Sequence, residues 1–265
     1  MCTSFVSYYG SPIYGMNFDF PDVEMRLKIV KSEAIKYICF YLKYGESYYP
    51  ITGMNQKGDF ANFQNMYVLD NEAPEVSKVK VNTLDLFLNF LQEKINLDQV
   101  ESIENDTMLL YPEELPLHNM FADINGKAII LEYIKGEAVQ KKIIGKKIVM
   151  TNFSNFKYSD NKNINPECIG VDRYLTAYNM VEEEKDLLDI DKAVNILRST
   201  FQTEGDYQTR GSFIFNPLKS EIYMIINRNT NNIWKISLEN ETLENMSNHT
   251  MVKINSEGII VNKLV

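Results

Sequence analysis

Alternation of apolar and polar positions dominates the first third of the chain. Residues 2–9 run as one extended segment into a Gly10-Ser11-Pro12 turn, and residues 13–20 follow as a second. Segments 26–30, 37–44, 50–54 and 60–66 continue the pattern with aromatic and β-branched side chains that suit a pleated surface. Between the last two, Asn55-Gln56-Lys57-Gly58 predicts a hairpin turn. The period then changes. Leu84, Phe87, Leu88 and Leu91 fall on one broad helical face behind Asn82-Thr83, which can cap its start, and a shorter helix is expected over 97–105. Strands return at 118–124 and 127–134 around an Asn125-Gly126 turn, and 137–144 with 146–152 are expected to complete that same sheet. After a polar loop over 155–166, helices are expected at 168–181 and 189–200, and strands 212–216, 221–227 and 233–238 form a closing meander. The order strands, helices, strands, helices, strands, without a break in composition, predicts one α+β domain over residues 1–265.

Charge narrows the partners. A formal net charge of −9 repels phosphate backbones and anionic lipid, so neither nucleic acid nor membrane is expected as a partner. No run of about 18 apolar residues occurs, and the opening MCTSFVSYYGSP lacks the basic start and cleavage site of a secretory leader, so cytoplasmic residence is expected. Lys141-Lys142 and Lys146-Lys147, in an apolar alternation, read as the solvated face of two strands.

Cys2, Cys39 and Cys168 are odd in number and unrelated in spacing, and the histidines are His118 and His249 alone. Neither a zinc site nor a disulfide framework is expected, and no metal or organic cofactor is called for. Cys39, inside IKYICFYLKY, reads as a core thiol, and Cys168 as the start of a helix with no special role.

Cys2 is the informative cysteine. Methionine is removed from a chain whose second residue is small, and the mature protein would then begin with cysteine. Such a residue carries its own base: a terminal amine titrates near 8 and a free thiol near 8.5, so the amine can take the thiol proton directly or through one water. The thiolate can attack a carbonyl to form a thioester, and the ammonium can protonate the departing amine.

The motifs around Cys2 give this reading its weight. MCTSF, GMNFDF, GMNQKGDFANFQN, MFADINGKAIILEY, VMTNFSNF and VDRYLTAYNM follow one another in an order and register that resembles the choloylglycine hydrolase family of linear amide C–N hydrolases, over nearly the whole chain. The resemblance implies a four-layer αββα N-terminal-nucleophile hydrolase fold with two stacked antiparallel sheets. It also implies Cys2 as nucleophile, Asp19 as the carboxylate that orients the amine and thiol, Asn65 and Asn152 as oxyanion donors, and Arg173 as the cation packed on the cluster. The implied substrate is a small-molecule N-acyl amide such as a conjugated bile acid, penicillin V or an N-acyl homoserine lactone. Met16 stands where bile salt hydrolases carry arginine, which removes a cation near the thiol or marks an apolar pocket. Phe20, Phe63 and Met66, with Tyr8 and Tyr9, are further candidates for the pocket wall. The interval from Asn152 to Arg173 is too short for the loop that supports tetramers in bile salt hydrolases, leaving a dimer as the open oligomeric state. An acyltransferase using the same thioester, and a non-catalytic binder of acylated ligands, remain open beside the hydrolase.

Overall fold

The computed structural model describes residues 2–67, 79–112, 115–158 and 164–264. Met1 and part of the expected 155–166 loop lie outside them. Six strands open the chain: β1 (Cys2–Ser7), β2 (Ile13–Asp19), β3 (Met25–Lys31), β4 (Lys36–Tyr44), β5 (Ser47–Asn55) and β6 (Phe60–Asn65). β7 (Val79–Asn82), α1 (Thr83–Leu91), α2 (Leu97–Glu101) and β8 (Thr107–Leu110) come next. They are followed by β9 (Leu117–Ala122), β10 (Ala128–Ile134), β11 (Glu137–Lys142) and β12 (Lys147–Met150). The last part contains α3 (Val171–Glu183), α4 (Ile190–Ser199), β13 (Thr209–Asn216), β14 (Glu221–Ile226), β15 (Ile233–Ser237), β16 (Thr242–Asn245), β17 (Met251–Lys253) and β18 (Ile259–Ile260).

Two eight-stranded antiparallel sheets result. One runs β12-β1-β2-β13-β14-β15-β16-β17 and the other β11-β10-β9-β6-β5-β4-β3-β18. Through the middle of each sheet, strand side chains alternate between two buried faces. On the first sheet Phe5, Ile13, Val149 and Ile214 pack beneath α3 and α4, while Val6, Tyr14, Met16 and Phe213 face the second sheet. On the second, Ala61, Phe63 and Phe121 pack under α1 and α2, while Phe40, Phe60 and Met120 face the first. The layers are therefore helix, sheet, sheet, helix, the αββα arrangement expected.

The inter-sheet layer is not uniform. One region is aromatic, with Phe40 4.1 Å from Phe213 and Phe60 4.8 Å from Phe215 between ring centroids. Another is polar: Ser4 Oγ accepts from Asn62 Nδ2 at 2.6 Å and also from Gln64 Nε2. These bonds join β1 to β6 across the layer, two residues from Cys2.

Several expectations need correction. Residues 146–152 do not complete the β9–β10–β11 sheet. The chain leaves that sheet after Ile143, whose amide donates to Ala128 O at 2.8 Å, and Lys146 O then accepts from Tyr8 N at 2.8 Å on the other sheet. The middle of each sheet is covered on both faces, so the apolar run 148–150 suits either one and does not select its partner. The lysine pairs are only half a solvated face: Lys142 and Lys146 are exposed, whereas Lys141 and Lys147 are buried. Lys147 Nζ reaches Glu182 at 2.7 Å, donates to Tyr178 O at 2.9 Å and lies 3.5 Å above the Tyr178 ring, tying β12 to α3. The helix expected from 168 starts at Val171 instead. The parallel β7–β8 pair and the short strands β16 to β18 carry too little alternation to be read in advance.

Candidate active site

β1 lies between β12 and β2, so its first residue, Cys2, is flanked on both sides and only 4% exposed. Across from it β2 ends at Asp19, which is fully buried. Thr209 pairs with Asp19 just before a register shift in β13, and its hydroxyl donates to Asp19 Oδ1 at 2.6 Å. Asn152 stands two residues beyond β12. Its Oδ1 accepts from the Cys2 nitrogen at 2.8 Å, and its Nδ2 donates to Asn65 O at 2.7 Å. Tyr67 N donates to Asn152 O at 2.8 Å, so the ends of β6 and β12 are pinned together from both sides.

Arg173 completes the cluster from the first turn of α3. Nη1 donates to Cys2 O at 2.6 Å and to Thr3 Oγ1 at 2.9 Å, and lies 3.5 Å from Asp19 Oδ2. Nη2 donates to Asn152 Oδ1 at 2.9 Å. The planar fork is what allows one side chain to serve four acceptors in fixed directions. Gly170, which caps α3, makes room for it. Its φ is +88°, and a Cβ there would lie 2.8 Å from Arg173 Nη2 and 3.1 Å from Thr151 Cβ. Gly170→Ala is therefore expected to lower Tm and to cut any Cys2-dependent turnover by about tenfold, because strain and collision both displace the guanidinium. A Gly170→Ala protein with unchanged Tm and rate would count against this packing.

Burial controls the charges. It pushes the Asp19 carboxyl up to about 6, against the opposing pull of Arg173 and of the Thr209 hydrogen bond. It also pushes the Cys2 thiol up, with the Asp19 charge adding to the effect and Arg173 opposing it. Asp19 is thus an anion above about pH 6 and neutral below it.

A cavity of about 240 Å³ opens over Cys2 and Asp19. Phe18, Phe20, Ile51, Phe63, Leu117 and Tyr207 form much of its wall. Asp19 is the one charged residue among its described lining residues.

Of the residues proposed from sequence, Cys2, Asp19, Asn152 and Arg173 fall in one hydrogen-bonded cluster, and Asn65, Phe20 and Phe63 line the cavity above it. Met16 does not line it. Alternation along β2 turns Tyr14, Met16 and Phe18 toward the other sheet, and Phe18, nearest the strand end, is the one that reaches the cavity. Met66 is buried outside the lining. Tyr8 donates to Asp123 O and Lys127 O, and Tyr9 to Glu182, both away from Cys2. Thr3, Thr209 and Gly170 were not anticipated. Thr209 has no sequence signal, since its role depends on strand pairing, whereas Gly170, a poor helix former inside the expected 168–181 segment, is a signal that the helix starts after it. Arg228, whose Nη1 donates to Thr209 O at 3.1 Å, approaches Asp19 from the far side and was also missed.

Known structures can be set beside this geometry. A C2A variant of the conjugated bile acid hydrolase of Clostridium perfringens superposes with a TM-score of 0.71 at 16% identity, covering 97% of this chain and 98% of that one. The penicillin V acylase of Agrobacterium tumefaciens gives 0.64 at 17% identity, covering 99% and 96%. The fold is that of these linear amide hydrolases. A Caenorhabditis elegans ortholog of N-acylethanolamine-hydrolyzing acid amidase is similar over 82% of this chain and 93% of its own, with a TM-score of 0.50 and 15% identity. At these identities the likeness to the N-terminal-nucleophile hydrolases is one of fold, and it agrees with the resemblance read from the motifs. No protein-family model and no curated protein sequence matches the chain significantly. Among the described residues no group of side chains is arranged to hold a metal ion, and no helix is long and apolar enough to cross a membrane.

Proposed function

We propose that the chain hydrolyses a non-peptide amide bond in an N-acyl small molecule through a thioester on Cys2. The observation that carries this reading is the convergence of Asn152 and Arg173 on the nitrogen and carbonyl of Cys2, at the floor of an apolar cavity. With Met1 removed, that nitrogen is an amine held at 2.8 Å by Asn152 Oδ1. It takes the thiol proton, the sulfur attacks the acyl carbonyl, and a tetrahedral intermediate forms. The Asn65 side chain and the second N–H of the Asn152 amide stabilise the oxyanion, each donor contributing about 3 kcal/mol in comparable sites. As the intermediate collapses, the C–N bond breaks and the ammonium returns the proton to the leaving amine. Water activated by the same amine then cleaves the thioester and releases the acid. Asp19 and Arg173 orient the pair throughout. The apolar wall supports an uncharged, hydrophobic acyl half. The two proteins that share the fold act, by name, on a conjugated bile acid and on penicillin V.

The test is a panel of N-acyl amides assayed with wild type and Cys2→Ala, Met1 removal being established first by intact mass. Turnover and a substrate-derived adduct on Cys2, both lost in the variant, are the expected results; turnover that survives the substitution refutes the proposal. An added amine acceptor separates hydrolysis from acyl transfer.

The pH profile offers a separate check. Protonation of Asp19 removes the anion that balances the ammonium and Arg173, so kcat/KM should fall on the acid side with an apparent pKa no higher than about 6, because the ammonium freed at Cys2 favours the Asp19 anion. Asp19→Asn should be far slower and should lose that limb. An acid limb that stays in place in Asp19→Asn would assign it to another group.

A further inference from the structure

Behind Asn152 lies a second, buried polar assembly that the mechanism does not use. Glu132 on β10 is fully buried and faces the layer between the sheets. An unsolvated carboxylate is costly unless donors surround it. Four do so here. His118 Nδ1, on β9, lies 3.2 Å from Oε1. The other three come from the loop after β12: Asn155 N reaches Oε1 at 2.7 Å, Ser154 Oγ reaches Oε2 at 2.7 Å, and Phe156 N reaches Oε2 at 3.2 Å. Since β10 and β12 belong to different sheets, this one carboxylate ties the loop carrying Asn152 to the opposite sheet.

The chain between the two assemblies has little freedom. Asn152 is fixed to Cys2, Arg173 and Asn65. Phe153 turns the other way and packs 5.1 Å from Tyr174 of α3, measured between ring centroids. Ser154, Asn155 and Phe156 then end on Glu132. Resting on the amidase reading above, we infer that Glu132, oriented by His118, is a positioning residue for the reaction: it fixes the loop so that the Asn152 amide holds the Cys2 nitrogen in register with the sulfur. An apolar residue at 132 would fill the space equally well but would leave two backbone amides and a hydroxyl without acceptors. Glutamine keeps the shape but presents an N–H to donors that cannot reverse, such as Phe156 N.

The experiment uses mature wild type, Glu132→Gln, Ser154→Ala and Ser154→Thr. N-octanoyl-p-nitroanilide is the amide probe, and iodoacetamide labels Cys2, followed by peptide mass spectrometry. Glu132→Gln is expected to lower kcat by about 10- to 100-fold with KM changed less than about threefold, since a displaced catalytic group costs rate rather than binding. Labelling of Cys2 is expected to slow by about fivefold or more in the same variant, because its nitrogen is no longer held beside the sulfur. Ser154→Ala, which leaves the two backbone bonds and the His118 contact in place, should show a smaller loss of about three- to tenfold, and Ser154→Thr should restore the rate. If folded Glu132→Gln and Ser154→Ala keep kcat and labelling within about twofold of wild type while only Tm falls, the residue is structural and the inference is overturned. Should Glu132→Gln fail to fold, the Ser154 variants decide. A wild type that labels normally at Cys2 but cleaves no amide would defeat the amidase reading, while the labelling comparison would still decide the role of Glu132.

Discussion

Cys2→Ala is expected to abolish amide turnover, with kcat falling on the order of 10⁴- to 10⁶-fold as when other enzymes lose their nucleophile. The fold should survive. Cys2 is buried at the cavity floor, but alanine keeps the backbone groups that bond Asn152 and Arg173, and a small side chain at a strand end leaves little void. Tm should therefore move by no more than a few degrees, and circular dichroism should be unchanged. Retaining Met1 by inserting a bulky residue at position 2 ahead of the cysteine should be nearly as damaging, because an amide nitrogen cannot accept the thiol proton. A loss of about 10²- to 10⁴-fold corresponds to removing the general base alone. An extended chain with normal kcat would defeat the proposed mechanism even if the Cys2→Ala result held.

The second large effect concerns Arg173. Arg173→Met removes the cation next to a buried carboxylate and strips three hydrogen-bond donors from Cys2 O, Thr3 and Asn152. Breaking one side of a buried ion pair typically destabilises by about 3–5 kcal/mol, because the remaining charge is left uncompensated. Urea unfolding should show that loss, and kcat/KM should fall at least about 100-fold, since Asn152 and the Cys2 carbonyl both lose their tether. Arg173→Lys keeps the charge but not the fork. It should recover most of the stability and little of the rate, which separates the electrostatic role from the geometric one. Equal recovery of both would mean that the direction of the donors does not matter.

The sequence disclosed this site unevenly, for physical reasons. Cys2 stands out because its proposed chemistry is local, a thiol beside its own amine, whereas Asp19 is read from motif register. Asn152 and Arg173 were legible through motif register, although 150 and 171 residues separate them from Cys2. Thr209 and Arg228 were not, because their relation to Asp19 depends on β13 joining β2 with a register shift. Met16, read from its place in the motif, shares a face of β2 with Phe18 but lies farther from the strand end, so it packs in the core while Phe18 reaches the cavity. At the level of fold, alternation identified most strands and both larger helical regions. It could not say that β12 changes sheets, since the deciding contacts are backbone bonds around residues 143–146 rather than a side-chain pattern.

The polar bonds between Ser4 and the amides of Asn62 and Gln64 have a consequence for how two greasy slabs stay aligned. Aromatic rings alone tolerate small translations, because one well-filled contact is nearly as good as its neighbour. A hydroxyl that must meet two amides in a dry interior is satisfied at only one offset. Gliding of one slab over the other is thereby blocked near the strand that begins with the thiol, and the distance from that thiol to the wall above it is set as the slabs come together.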